Sequence, residues 1–176
     1  MKRIISLLFF CFLLFPTVAR ANDTEDNFYQ NRINFSIGKG ISTPSGKKTT
    51  GEMLEFSYQR HPFVENYKPF FYGADIGGWT TKNLSSGEKS FLLAGVVGLR
   101  YDWSWIYLQG QAGIAYVSET NDNISTHYQF PIRTEIGFKT GKYSVGFFWQ
   151  HYSNGDTKKP NLGMNWAGVA FSIYSW

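Results

Sequence analysis

Apolar and polar residues alternate one by one through most of this chain, and the polar set includes full charges. Leu54, Phe56 and Tyr58 are interleaved with Glu55, Ser57 and Gln59, and Ile132, Ile136 and Phe138 with Arg133, Glu135 and Gly137. A period of two is the signature of a β-strand, whose successive side chains leave opposite faces of the sheet. The same pattern runs through Ile33, Phe35 and Ile37, through Phe70, Tyr72, Ala74 and Ile76 against Phe71, Gly73, Asp75 and Gly77, and through Ile106, Leu108, Ala112 and Ile114 against Tyr107, Gln109, Gln111 and Gly113. With the runs at 90–101, 143–153 and from Met164 onward, this predicts eight strands and no helix after the first 21 residues. The facing of the fourth is ambiguous, because it is apolar on both sides.

An even number of alternating strands, joined by short and longer polar connections in turn, predicts an all-β, eight-stranded, antiparallel up-and-down transmembrane β-barrel of a bacterial outer membrane. Eight strands close a lumen that side chains fill. The inward set would hold Glu55, Asp75, Gln109, Gln111, Arg133 and Glu135, which is costly in a water-soluble core and expected inside an outer-membrane barrel. The competing architecture is a soluble lipocalin-like barrel with the two faces exchanged. Tryptophans and tyrosines near strand ends (Trp103, Trp105, Tyr107, Tyr143, Tyr174 and Trp176) are expected to form interfacial girdles. In strand eight, Ala167, Val169, Phe171 and Ile173 fit the lipid face while Tyr174 and Trp176 fall on the other, which a β-bulge would reconcile.

Residues 1–21 read as a secretory signal peptide: Lys2 and Arg3, an apolar run from Ile4 to Val18, then Ala19-Arg20-Ala21 as a cleavage site. The run is too short and too broken by Pro16 to span a membrane as a helix. The barrel domain is then expected over 22–176, without cysteine, because Cys11 is the only one and lies in the leader. Lys2, Arg3 and Arg20 also leave with it, so 14 basic and 13 acidic residues remain. That near-neutral balance argues against a nucleic-acid partner, which would call for a clustered basic surface. No cluster of ligand-type residues suggests a metal or other cofactor.

One segment, Trp149 to Gly163, stands apart from the general pattern. His151 and Ser153 are two residues apart on strand seven, so they share a face, and an imidazole beside a hydroxyl is the minimum equipment for nucleophilic ester chemistry. Counting back gives Trp149, Phe147 and Val145 on that face, which places the pair toward lipid at the extracellular end. A substrate would come from the membrane itself. The plain alternative is a pair of interfacial hydrogen-bonding residues.

His151-Tyr152-Ser153-Asn154-Gly155, followed by Lys158, Pro160, Asn161 and Gly163, closely resembles the C-terminal motif of the PagL family of outer-membrane lipid A 3-O-deacylases. The resemblance implies hydrolysis of the ester-linked 3-O acyl chain of lipid A, the lipopolysaccharide of the outer leaflet being the membrane partner. It implies Ser153 as nucleophile and His151 as general base, with the following loop, including Asn154, Gly155 and Asn161, shaping the site and its oxyanion hole. Where the family carries a glutamate, this chain has Asn165. An asparagine can orient the imidazole but cannot neutralise its charge. Glu135 points into the lumen by parity, and Asp156 lies in the right loop. The functional alternatives are a non-catalytic barrel acting in adhesion or membrane stability, and acyl transfer through the same His/Ser pair. Either is compatible with a homo-oligomer.

Overall fold

The computed structural model describes residues 30–42, 49–62, 69–81, 89–121 and 123–175. The expected signal peptide and Trp176 lie outside them. Eight strands follow in order: β1 (Asn31–Ile41), β2 (Glu52–Arg60), β3 (Phe70–Thr80), β4 (Lys89–Trp103), β5 (Ile106–Val117), β6 (Tyr128–Thr140), β7 (Tyr143–Ser153) and β8 (Met164–Ser175). Each pairs antiparallel with its sequence neighbours, and β1 pairs with β8 to close the barrel. Tight turns at Ser104-Trp105 and Gly141-Lys142 mark the periplasmic end, and β7 therefore runs outward to finish at the extracellular rim.

Parity decides what each residue meets. Ile33, Ile37, Phe56, Ile76, Leu93, Val97, Ile114, Ile136 and Phe147 are all exposed on the outer surface. Such a belt would aggregate in water and is the bilayer contact of a transmembrane barrel. The faces are thus those of a membrane barrel, and the lipocalin-like arrangement is excluded.

The lumen is packed with the predicted polar residues, all of them buried. Arg133 donates to Glu55 Oε1 at 2.9 Å, to Glu135 Oε2 at 2.6 Å and to Ser36 Oγ at 2.9 Å. Arg32, also inward, pairs with Glu135 and donates to Ser172 Oγ at 2.8 Å and Gln59 Oε1 at 3.1 Å. Charges out of water persist only when paired and hydrogen-bonded, and Arg32, Arg133, Glu55 and Glu135 meet that condition with partners on β1, β2, β5, β6, β7 and β8. Nearer the extracellular end the filling turns apolar, with Met53, Trp79, Leu92, Val117, Ile124, Met164 and Trp166 in one cluster. That change explains β4: Leu92, Ala94 and Val96 face the apolar cluster while Phe91, Leu93 and Val97 face lipid, so neither side looks polar.

Two expectations are corrected. Trp103, Trp105 and Tyr143 are exposed near the periplasmic rim as girdle residues should be, but Tyr107 and Tyr174 are buried in the lumen. The Tyr107 hydroxyl donates to Glu135 at 2.6 Å, Tyr174 and Ser144 hydroxyls lie 2.9 Å apart, and the Arg100 guanidinium sits 3.7 Å from the Tyr107 ring centroid and 4.9 Å from that of Tyr174. A phenol offers a flat face to a cation and an oxygen to a polar network, so it suits either setting. The second correction follows from the first. With Tyr174 inside, β8 needs no bulge, and its register runs unbroken from Asn31↔Ser175 to Ile41↔Asn165.

Candidate active site

The inward side of β7 fixes its outward side. Gln150 Nε2 donates to Glu55 Oε2 at 3.1 Å and the Tyr152 hydroxyl donates to the same oxygen at 3.0 Å, which ties both residues into the lumen. Trp149, His151 and Ser153 must then leave toward lipid, at the extracellular end. A one-residue slip would break the lumen network and bury the imidazole among apolar side chains.

Across the ladder, His151 stands opposite Asn165 of β8. The Asn165 side-chain oxygen lies 2.8 Å from His151 Nδ1. With the amide oxygen as acceptor, Nδ1 carries the proton and Nε2 keeps its lone pair, the tautomer a general base requires. Asn165 is only 2 % exposed, and its backbone N–H donates to Thr49 Oγ1 at 3.1 Å, so the orienting amide is itself held.

Two further contacts grip the ring. Gly163 has φ +71°, and a Cβ there would overlap His151 Cε1 and come within 3.1 Å of Nε2. Only glycine lets the chain turn so close to the imidazole. On the side toward the membrane centre, the Trp149 indole lies nearly parallel to the imidazole, the centroids 6.0 Å apart and the planes at 10°.

Ser153, half-buried, is the last residue of β7 and stands opposite Phe130. Among the described residues no hydrogen bond joins its hydroxyl to His151. In a substrate-free esterase such a bond often tightens only once the reacting ester is seated.

The loop after Ser153 is organised by its asparagines. Asn154 is fully buried; its N–H donates to Asn161 Oδ1 at 3.0 Å, and its side-chain amide donates to Ser125 Oγ at 3.0 Å and to the Lys158 carbonyl at 2.6 Å. Asn161 donates in turn to Asp156 Oδ1 at 3.1 Å. Both side-chain amides are therefore engaged, Asn161 within the loop and Asn154 both within it and across to the β5–β6 connection. The Asp156 carboxylate is turned to Asn161 instead of the imidazole, and Glu135 is in the lumen. Gly155, exposed and at φ +64°, has a backbone N–H that donates to no group among the described residues. The loop is braced from outside β7, because Ile124 is buried beneath it and bridges Asn161, while the N–H groups of Leu162 and Gly163 both donate to the Asn123 carbonyl at 3.0 Å.

The sequence pattern brought His151, Ser153 and the loop to one place. It did not reveal Thr49, Asn123 or Ile124, which reach the site from distant connections, Thr49 through its hydroxyl and the other two through backbone bonds. The Trp149 contact was legible in principle, since it lies two residues before His151 on the same face. No group of His, Cys, Asp and Glu among the described residues is arranged to hold a metal.

Fold and surface together define the class: a small outer-membrane β-barrel that presents a polar His, Ser and Asn cluster to the outer leaflet. Residues 52–174 match the family described as lipid A 3-O-deacylase (PagL), and the chain belongs to that family. The crystal structure of the outer membrane enzyme PagL is similar at 20 % identity with a TM-score of 0.55, over 81 % of this chain and 98 % of that one. Neisserial surface protein A (NspA) is similar at 11 % identity and a TM-score of 0.55, over 83 % of this chain and 96 % of that one. The Yersinia pestis outer membrane protein Ail is similar at 9 % identity and a TM-score of 0.50, over 82 % and 99 %. No curated protein sequence is significantly similar to the chain.

Proposed function

We propose that the protein is a serine esterase that removes the ester-linked 3-O hydroxyacyl chain from lipid A in the outer leaflet. The observation that carries this reading is the 2.8 Å contact between His151 Nδ1 and Asn165 Oδ1, made on the lipid-facing side, two residues from Ser153, in a chain of the deacylase family. NspA and Ail share the barrel architecture, so the barrel alone does not single out an esterase. An oriented imidazole facing lipid beside a hydroxyl is what favours the esterase.

In this mechanism Ser153 Oγ attacks the acyl carbonyl carbon and gives its proton to His151 Nε2. The bond between the acyl carbon and the sugar 3-oxygen then breaks, and the imidazolium returns the proton to that oxygen. Water, deprotonated by His151, hydrolyses the acyl-serine and frees the hydroxy fatty acid. Asn165 fixes the tautomer. Asn154 and Asn161 hold the loop so that the Gly155 N–H meets the oxyanion.

The test is mass spectrometry of lipid A from cells expressing the intact protein or its Ser153→Ala or His151→Ala form. Lipid A lacking one hydroxyacyl chain is expected with the first, and a loss of roughly a thousandfold or more in rate with either variant. Full-length lipid A in cells that carry the correctly folded parent would sink the proposal, and acylation of another acceptor would move it to acyl transfer.

A further inference from the structure

In the proposed reaction His151 changes charge and its hydrogen-bonding partner carries none. Asn165 keeps the imidazole in register, but when Ser153 gives up its proton the resulting imidazolium faces a neutral amide. The site lies on the hydrocarbon side of the barrel, where an unbalanced cation is costly. The surroundings offer few candidates for the missing negative potential. From β6 the facing residues are Phe130, Ile132 and Thr134, and from β8 Asn165 and Ala167, none of them titratable. In the adjoining loop the Asp156 carboxylate accepts from Asn161. Glu55 and Glu135 lie on the opposite side of the sheet, bound to arginines.

What remains is the π face of Trp149. Its ladder neighbours, Thr134 and Ala167, are small, which leaves room for the indole, and it lies nearly parallel to the imidazole with the centroids 6.0 Å apart. A cation within about 6 Å of an aromatic centroid is attracted by the ring quadrupole, most strongly by tryptophan and more so where water is excluded. Neutral imidazole gains little from the same contact, so the attraction grows as the proton arrives. An interaction stronger in the transition state than in the ground state raises kcat.

We propose that Trp149 is a positioning residue for the deacylation, acting through His151: its indole face stabilises the imidazolium in the role that a carboxylate would fill. This rests on the reading of Ser153 as nucleophile and His151 as base.

The experiment is steady-state deacylation of purified lipid A by the full-length barrel in detergent, with tryptophan replaced throughout by increasingly fluorinated analogues. Fluorine withdraws charge from the ring face and barely alters its size. The expected result is a graded fall in kcat, about threefold to tenfold at the highest substitution, with KM little changed. The same series in the Trp149→Phe background should be flat, which separates Trp149 from the other five tryptophans. Trp149→Leu should lower kcat by about tenfold or more and move the acid limb of the kcat/KM profile to lower pH, Trp149→Phe should retain part of the rate, and adding Asn165→Glu to Trp149→Leu should recover it. A kcat indifferent to fluorination while Trp149→Leu is slow would make the indole a packing element and overturn the proposal, as would an equal response in the Trp149→Phe background. Ser153→Ala, assayed alongside, isolates the underlying reading: if that variant still deacylates, the nucleophile has been misassigned whatever Trp149 does.

Discussion

In the lumen Arg133 lies between two carboxylates, Glu55 at 2.9 Å and Glu135 at 2.6 Å, whereas on the lipid side of the neighbouring strand the side-chain hydrogen-bond partner of His151 among the described residues is the neutral amide of Asn165 at 2.8 Å. The two regions are separated by one sheet thickness, yet one is built from permanent charges and the other from neutral dipoles. The difference follows from what surrounds them. Inside, Arg32, Arg133, Glu55 and Glu135 meet counterions and further hydrogen-bond partners, so the cost of leaving water is offset. Outside, a resting carboxylate would face a neutral imidazole and hydrocarbon, with nothing to balance it. A neutral amide leaves the resting site uncharged and confines the charge to the moment of reaction.

Breaking the lumen side should produce the largest effect. Glu135→Ala removes the shared partner of Arg32 and Arg133 and the acceptor of the Tyr107 hydroxyl. Stranding buried guanidinium groups is expected to destabilise the barrel by about 3–5 kcal/mol, read as a shift in the urea midpoint of unfolding from detergent micelles. Deacylation per folded molecule should persist, because the site draws nothing from Glu135. A midpoint within about 1 kcal/mol of the parent would mean that water or Glu55 compensates and that the lumen network is not what holds the strands in register.

The lipid side is sharpened by changing the amide in both directions. Asn165→Leu keeps the four-atom branched side chain and removes the acceptor, so the imidazole loses its preferred tautomer; kcat should fall about a hundredfold, equivalent to about 2.7 kcal/mol, with the unfolding midpoint nearly unchanged. Asn165→Glu should run the other way, active but less stable, because it places a buried carboxylate at a position only 2 % exposed. Should Asn165→Leu retain full kcat, the contact to Nδ1 would be incidental and the contrast between the two regions would have no catalytic meaning.

Parity made most of this barrel legible in the chain, because a polar residue two positions from another polar residue shares its face and the lumen demands polarity. Glu55, Asp75, Gln109, Gln111, Arg133 and Glu135 all fall inside by that reasoning. At Tyr107 and Tyr174 phase outranks residue type: Tyr107 alternates in step with Gln109 and Gln111, and its ring serves as the bed for Arg100. In the site, His151 and Ser153 could be placed because they are local to one strand. Thr49 behind Asn165 and Asn123 above Gly163 could not, since nothing in a sequence marks which loop crosses over which.

A second histidine supplies the mildest test, by pH. His61 follows β2 at the periplasmic rim, 6 % exposed, with its ring 5.5 Å from that of Phe71. Burial, and then the nearby Arg100 guanidinium, hold its pKa down at about 4, against an ordinary value near 6.5. The folded barrel therefore keeps His61 neutral while the unfolded chain takes up a proton first. The stabilisation is complete above about pH 6.5, declines as pH falls toward 4, and is flat below that; between pH 7.5 and 5 the loss should approach roughly 2 kcal/mol. Replacing the imidazole in His61→Gln should remove that part of the pH slope in urea unfolding, while deacylation at pH 7 stays at the parent rate. An unchanged slope would place the acid sensitivity in the lumen carboxylates instead, and would make the charged interior, not the periplasmic rim, the part of the barrel that acid attacks first.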